Sequence, residues 1–290
     1  MMRFSHLVLP GDSTPTLVVK DGEEAVPVAT LVDAAPGSLD ELVAAGPDAL
    51  DDLREALAAG RGRRIPVGDA AYAPALLRPP AIMAVGLNYA AHSGELNLKT
   101  DATPTVFTLW PNSLAGHGGT TTWSRSLTGA VDYEAELGVI IGRAARGVSE
   151  DEALDYVFGY TVVNDISARD IQYSEAQWSR CKSLDGFTPV GPDVVTADEI
   201  PDPQDLHIWT RIGDELLQDG STGQMVRSVA TLIAHLSQGI TLLPGTLIST
   251  GSPGGSGFSR TPQVLLQDGT TVTVGVDGIG ELTTHCRIVD

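Results

Sequence analysis

The stretch Val131-Asp132-Tyr133-Glu134-Ala135-Glu136-Leu137-Gly138 alternates acidic residues with apolar ones. In a strand, side chains two apart share a face, so Asp132, Glu134 and Glu136 are expected to point the same way. The strand runs on into Val139-Ile140-Ile141, which has the character of buried core. Like charges side by side next to a buried run are costly unless water or a cation neutralises them. Hard carboxylate oxygens suit Mg²⁺, Mn²⁺ or Ca²⁺. A solvated edge strand fits the same pattern without a metal.

Four further segments carry chemistry-bearing residues. Gly159-Tyr160-Thr161-Val162-Val163-Asn164-Asp165 reads as a buried strand ending in a carboxylate that could complete a three-carboxylate site. A helix is expected to start at Ser167, with Asp170 three residues on and Arg169 between. Asp165 fits a turn residue at the helix start equally well. His92 and Glu95 are one helical turn apart, so the carboxylate could orient the imidazole as a general base that activates water. Surface helices also contain such pairs by chance. Lys182 lies among turn-forming residues beside aromatics, placed either to stabilise an enolate or carboxylate or as a loop lysine in solvent. Thr250-Gly251-Ser252-Pro253-Gly254-Gly255-Ser256-Gly257 follows a strand and offers amides and hydroxyls to an anion, or is simply a flexible loop. It lacks the Gly-Lys-Ser/Thr ending of a P-loop.

These segments need a scaffold, and the sequence indicates one rich in strands. Apolar runs at Ala81 to Val85, Glu136 to Ile141, Gly159 to Val163, Thr246 to Thr250 and Thr271 to Val276 read as strands, and Val229 to Leu236 as a helix. Ahead of them, Phe4 to Leu9 and Thr16 to Lys20 read as strands, and Asp21-Gly22 as a turn into an extended stretch from Ala25 to Val32. Ser38-Leu39-Asp40-Glu41 has the capping-box pattern of a helix start. Asp48 to Ala59 is amphipathic, with Leu50, Leu53 and Leu57 on one face and Gly60 beyond its end. Pro79-Pro80 punctuates the chain, so residues 1–77 are expected to form a small α/β domain and 78–290 the larger one.

Composition narrows the class. The chain has 290 residues, 42% of them hydrophobic, enough for a sizeable core. A net charge of −19 disfavours nucleic acid and anionic membrane. It also repels an anionic substrate unless a bound cation or local basic residues reverse the potential. No apolar run reaches membrane-spanning length. The start of the chain lacks the long apolar core of a signal peptide. The two cysteines, Cys181 and Cys286, are far apart and in no metal-ligand spacing, so a reducing cytoplasm is the expected location.

Taken in order, Gly86-Leu87-Asn88-Tyr89 with His92 and Glu95, Asp132 to Leu137, Gly159-Tyr160-Thr161 with Asn164-Asp165 and Ala168-Arg169-Asp170, Gln172, Lys182-Ser183, Asp185-Gly186-Phe187 and Thr250-Gly251-Ser252-Pro253 resemble the fumarylacetoacetate hydrolase family. The match runs from about Ala81 to the C-terminus. The resemblance implies an α+β, mostly β fold: a mixed β-roll C-terminal domain behind a small α/β N-terminal domain, usually as a homodimer. It places metal ligands at Glu134, Glu136 and Asp165, with Mg²⁺ (or Mn²⁺ or Ca²⁺) as cofactor. It places the catalytic dyad at His92 and Glu95, on a segment that orders over the substrate as a lid. Lys182, Gln172 and Arg169 match pocket residues, and Thr250 a threonine that contacts the substrate carboxylate.

The implied activity is hydrolysis of a C–C bond in a small anionic 2-oxo acid, a 2,4-diketo acid of acylpyruvate type, through a metal-bound enolate. Decarboxylation, isomerisation or hydration on the same site is the alternative, and a catalytically silent ligand-binding homologue the third. The chain departs from the family in the run Phe107-Thr108-Leu109-Trp110-Pro111, where Trp110 replaces the lysine of many members. No second substrate anion is expected from that exchange. Pro244-Gly245-Thr246 and Thr250-Gly251-Ser252-Pro253 depart too, without touching an expected ligand.

Overall fold

The computed structural model describes residues 2–95 and 103–290. The chain opens with an antiparallel meander of β1 (Arg3–Val8), β2 (Thr16–Asp21) and β3 (Glu24–Pro27). The Asp21-Gly22 turn forms where expected, with Gly22 at φ 64°. The extended stretch expected to reach Val32 stops at Pro27 instead. The Thr30 hydroxyl donates to the Pro27 carbonyl at 2.8 Å and closes a 3-10 turn over Val28–Thr30.

Next come α1 (Leu39–Ala45) and α2 (Pro47–Ala58). Ser38 caps α1 by accepting the Glu41 N–H, but Glu41 reaches back to the Gly37 N–H, so only half of the capping box forms. The apolar face of α2 buries Leu53 and Ala56 fully and Leu50 and Leu57 in part. β4 (Ile65–Pro66) and β5 (Ala71–Tyr72) end the segment.

The remainder supplies β6 (Ile82–Gly86), α3 (Ala90–Glu95), β7 (Thr105–Thr108), β8 (Leu114–Ala115) and β9 (Gly119–Ser124). Then follow β10 (Val131–Asp132), β11 (Ala135–Ile141), α4 (Glu150–Ala153), β12 (Val157–Asn164), β13 (Ser167–Ala168) and α5 (Arg169–Ser174). The last elements are β14 (Thr188–Pro189), β15 (Val194–Thr196), β16 (His207–Ile212), β17 (Glu215–Ser221), α6 (Val229–Leu236), β18 (Leu247–Ser249), β19 (Thr271–Val276) and β20 (Gly280–Val289).

An 11-stranded mixed sheet runs in the order β4-β3-β2-β1-β15-β12-β11-β18-β6-β7, with β5 on β1. A second sheet of five strands runs β17-β16-β19-β20-β9. The main core lies between them, where β11 is buried along its whole length and meets Val272, Val274 and Leu282 of the second sheet. This is the α+β, mostly β architecture the sequence implies.

The N-terminal strands join the large sheet through β1, which pairs with β15 at Arg3↔Val195 and Phe4↔Val194. Two buried polar clusters reinforce the junction. Asp193 accepts the Ser5 hydroxyl at 2.5 Å and the Lys20 ammonium at 3.0 Å. His6, fully buried, holds the Pro74 carbonyl through Nδ1 and accepts the Leu39 N–H on Nε2, both at 3.1 Å. The His6 ring is therefore fixed as the neutral Nδ1–H tautomer.

Candidate metal and acid–base site

The site forms where β11 starts and β12 ends. The two strands are antiparallel with Ala135 opposite Asn164 and Glu136 opposite Val163, which brings Asp165 beside both glutamates. Cross-ties fix the corner: the Glu134 N–H donates to Asn164 Oδ1 at 3.1 Å, and the Asp165 N–H to the Glu134 carbonyl at 2.9 Å. Carboxylate oxygens of Glu134, Glu136 and Asp165 all come within 4.8 Å of one another, and all three residues are buried.

Asp132 does not share their face, contrary to the expectation from strand alternation. Regular pairing breaks between β10 and β11, because Asp132 pairs with Ser167 while Glu134 belongs to neither strand. Asp132 Oδ2 instead receives Arg169 Nε at 3.0 Å and Nη2 at 2.8 Å. The expected helix start at Ser167 is also corrected. Ser167 and Ala168 form β13, α5 begins at Arg169, and the Asp170 carboxylate accepts from Thr128 and the Gly129 N–H.

Two cations face these acids. Lys182 Nζ donates to Glu134 Oε2 at 2.6 Å and Asp165 Oδ2 at 2.5 Å. Arg169 Nη2 reaches Glu134 Oε1 at 2.7 Å, and its Nη1 donates to Gln172 Oε1 at 2.9 Å. Burial works against the charge on Glu134, but Lys182 and Arg169 outweigh it and hold its carboxyl well below the usual range. Glu136 goes the other way: burial, then the charges of Asp165 and Glu134, push its carboxyl well above the usual range. Burial lifts Asp165 to about 6 even with Lys182 beside it.

Four buried carboxylates (Asp132, Glu134, Glu136 and Asp165) thus stand against two buried cations, Arg169 and Lys182. Asp165 Oδ1 is buried with no hydrogen-bond partner. An orphaned carboxylate oxygen, in a cluster where carboxylates outnumber cations and crowd one another enough to resist ionisation, fits a hard divalent cation. Glu134, Glu136 and Asp165 are the residues that would hold it.

His92 and Glu95 lie on α3, as their spacing predicts. His92 Nε2 sits 3.0 Å from Glu134 Oε1, while Nδ1 is 3.9 Å from Glu95 Oε2, too far for a direct hydrogen bond. Nδ1 is buried without a hydrogen-bond partner. Burial lowers the affinity of His92 for a proton, but the Glu134 hydrogen bond and Glu95 more than reverse this. Glu95 is anchored by the Gly255 N–H at 2.9 Å. The lid expected beyond it runs into residues 96–102, outside the described residues.

The glycine-rich loop behaves differently from the anion cradle considered in the sequence. Its amides are taken by the protein's own carboxylates: Gly251 N–H by Glu136, Gly255 N–H by Glu95 and Gly257 N–H by Asp132. Side chains are excluded here. A Cβ on Gly257 would lie 1.9 Å from the Val264 carbonyl, and Gly255 has φ +101°.

The structure gathers His92, Glu134, Glu136, Asp165, Gln172 and Lys182 around one small, tightly filled cavity. Arg169 stands behind it. Thr250 is fully buried next to Gly251, and its hydroxyl donates to the Leu137 carbonyl at 2.8 Å. Trp110 is 44% exposed and lines a separate surface depression with Leu127 and Val289, so it is not part of the carboxylate cavity. Ser249, Trp178 and Leu87 were not anticipated. Ser249 donates to Glu136 at 2.5 Å, and the other two line the cavity. The positive φ of Leu87 leaves no mark in sequence, whereas Ser249 could have been found from its place one residue before Thr250.

A mostly β fold that buries a carboxylate triad beside a histidine–glutamate pair defines the class. The chain belongs to the fumarylacetoacetate hydrolase family, whose C-terminal family model matches residues 81–287. An uncharacterized Staphylococcus epidermidis protein, SERP0556, is 41% identical over 217 residues, covering 75% of this chain and 72% of its own. The fold is similar to that of the fumarylacetoacetate hydrolase of Exiguobacterium antarcticum, with TM-score 0.86, 34% identity and 100% of both chains covered. It is also similar to the 2-hydroxyhepta-2,4-diene-1,7-dioate isomerase of Mycobacterium marinum, with TM-score 0.77, 28% identity and 99% of both chains covered. No helix among the described residues is long and apolar enough to cross a membrane.

Proposed function

We propose that the protein is a divalent-metal-dependent hydrolase that cleaves a C–C bond of a 2,4-dioxo acid of acylpyruvate type. The observation that carries this reading is the convergence of three buried carboxylates, one with an orphaned oxygen, beside a histidine whose Nδ1 is unpartnered. When bound, the cation would supply Lewis-acid polarisation of the oxo and carboxylate oxygens of the substrate.

The protein's own groups do the rest. His92 donates Nε2–H to Glu134, which leaves Nδ1 as the basic nitrogen. Nδ1 and Glu95 Oε2 are 3.9 Å apart, a separation that one water admitted between them would bridge. His92 takes a proton from it at Nδ1, and the hydroxide adds to the distal carbonyl carbon. Glu95 then stabilises the imidazolium. The C–C bond breaks, its electron pair leaves on the 2-oxo acid fragment as an enolate, and a proton returns to that carbon. The products are a carboxylic acid and a 2-oxo acid. Arg169 keeps Glu134 ionised throughout, and Lys182 presents a positive charge to the substrate side of the same carboxylates.

The test is to strip metal with chelator, re-add Mg²⁺ or Mn²⁺ and follow loss of β-diketone absorbance over a panel of acylpyruvates. Activity should return with metal and vanish in Glu134→Ala. No metal-restored loss of absorbance on any acylpyruvate would sink the reading. The similarity to an isomerase favours isomerisation of a 2-oxo dienoate as the second reading. Product analysis separates the two, because isomerisation yields one organic product where hydrolysis yields two.

A further inference from the structure

We infer that this cavity selects 2-oxo acids with a small, apolar, uncharged tail, and that Leu87 and Trp178 are the residues that select it; this rests on the reading of the site just given. The cavity has two chemically distinct sides. His92, Glu134, Glu136, Asp165 and Lys182 make one, and its one cation is committed to carboxylates, Lys182 to Glu134 and Asp165, while the His92 Nε2–H is taken by Glu134.

The end of β6 and the segment after α5 make the other side, with Val85, Gly86, Leu87 and Trp178. The Trp178 ring lies on Gly86 so closely that a Cβ there would come within 2.4 Å of its Cζ3. It also packs edge-on against Phe107, at 5.6 Å between centroids and 69° between planes. Gly86, Phe107 and Trp178 are therefore one contiguous apolar patch, and among the described residues lining this side there is no cation.

Leu87 is held in place at a conformational cost. Its φ is +59°, a left-handed backbone unusual for a bulky side chain and typical of over-determined positions at functional sites. The next residue does the holding. Asn88 Nδ2 donates to the carbonyls of Thr250 at 2.8 Å and Arg227 at 3.0 Å, while its Oδ1 accepts the Arg227 N–H at 2.9 Å. The strained turn keeps an isobutyl group on the cavity wall. A tail ending in a carboxylate would be stripped of water there without a cationic partner, whereas an alkyl tail gains from the same burial.

The experiment compares two inert 2-oxo acid mimics of equal length, N-butyloxamate and N-(3-carboxypropyl)oxamate, by titration calorimetry on the full chain with Mg²⁺. Wild type should bind the butyl compound at least about ten-fold more tightly. Leu87→Gly, which suits the positive φ, should improve N-hexyloxamate relative to N-butyloxamate. Equal or tighter binding of the carboxylate-tailed compound, or no binding of either, overturns the inference. If the oxamates rank as expected while no acylpyruvate is cleaved, the selectivity stands and the hydrolase reading fails. If acylpyruvates are cleaved with a preference for anionic tails, the reverse holds.

Discussion

Arg169 and Asp132 form a two-pronged ion pair, with Nε and Nη2 at 3.0 and 2.8 Å from the same Oδ2 and both residues fully buried. Asp132 is further bound by the Ser256 hydroxyl and the N–H groups of Tyr133 and Gly257. The first carboxylate of the acidic run is thereby committed to holding Arg169 against Glu134. Removing one partner of such a pair leaves a buried charge uncompensated. Asp132→Ala should cost about 3–5 kcal/mol in urea unfolding, and Asp132→Asn less because it keeps part of the hydrogen bonding. Equal stability of Asp132→Ala and wild type would contradict this role.

Metal should register as stability. At a hundred-fold excess over its dissociation constant, a cation that binds only the folded chain adds about 2.7 kcal/mol, or roughly 5 °C in Tm for a chain of this size. Glu136→Gln should lose that increment. Without metal the variant should melt no lower than wild type, because burial and two neighbouring carboxylates already disfavour charge at this position. Thermal melts with chelator and with Mg²⁺ check both statements.

His92→Ala should abolish hydrolysis and retain the Mg²⁺-dependent rise in Tm, since the histidine is not among the expected ligands. Glu95→Gln should lower kcat by about 10²–10⁴ with little change in stability, because Glu95 is only partly buried. Single-turnover assays paired with melts separate these effects from misfolding.

His6 makes stability depend on pH. Burial lowers the proton affinity of this imidazole, despite the opposing influence of the Pro74 carbonyl and Asp40. The unfolded chain therefore takes up the proton first as pH falls. The contribution of His6 is complete above an unfolded-state value of about 6.5 and is lost as pH drops below it toward the depressed folded value. His6→Gln should be less stable at pH 7.5 by about 1–3 kcal/mol, since it leaves the Leu39 N–H or the Pro74 carbonyl unpaired. The variant should also lose less than wild type between pH 7.5 and 5.5. Parallel urea midpoints for the two proteins across that window would refute the assignment.

Periodicity made much of this legible. The runs that became β11, β12, β19 and α6 are apolar enough that burial follows from composition alone. Glu134, Glu136 and Asp165 were readable because two of them stand two apart in an alternating run that leads into β11 and the third follows the end of the neighbouring strand. Their convergence still depended on the β11–β12 register, which sequence does not supply. The orientation of Asp132 was misjudged because alternation assumes an unbroken strand, and the break after β10 is decided by partners distant in sequence. The glycine-rich loop was left as an anion cradle or a flexible loop for the same reason, since the carboxylates that occupy its amides come from α3 and from the acidic run, both distant in sequence.

The hydrogen bonding of β1 to β15 limits how the chain can be shortened. The family match begins at residue 81, which invites truncation there. Such a fragment would strip β15 of its neighbour and uncover Ile140, Val163 and Val194, which now pack in one cluster with Phe4. Bare backbone donors and acceptors flanked by apolar side chains recruit further copies of themselves. The first seventy-odd residues thus cover an edge and an apolar face that a fragment starting at residue 81 would expose, and such a fragment should aggregate at concentrations where the full chain does not.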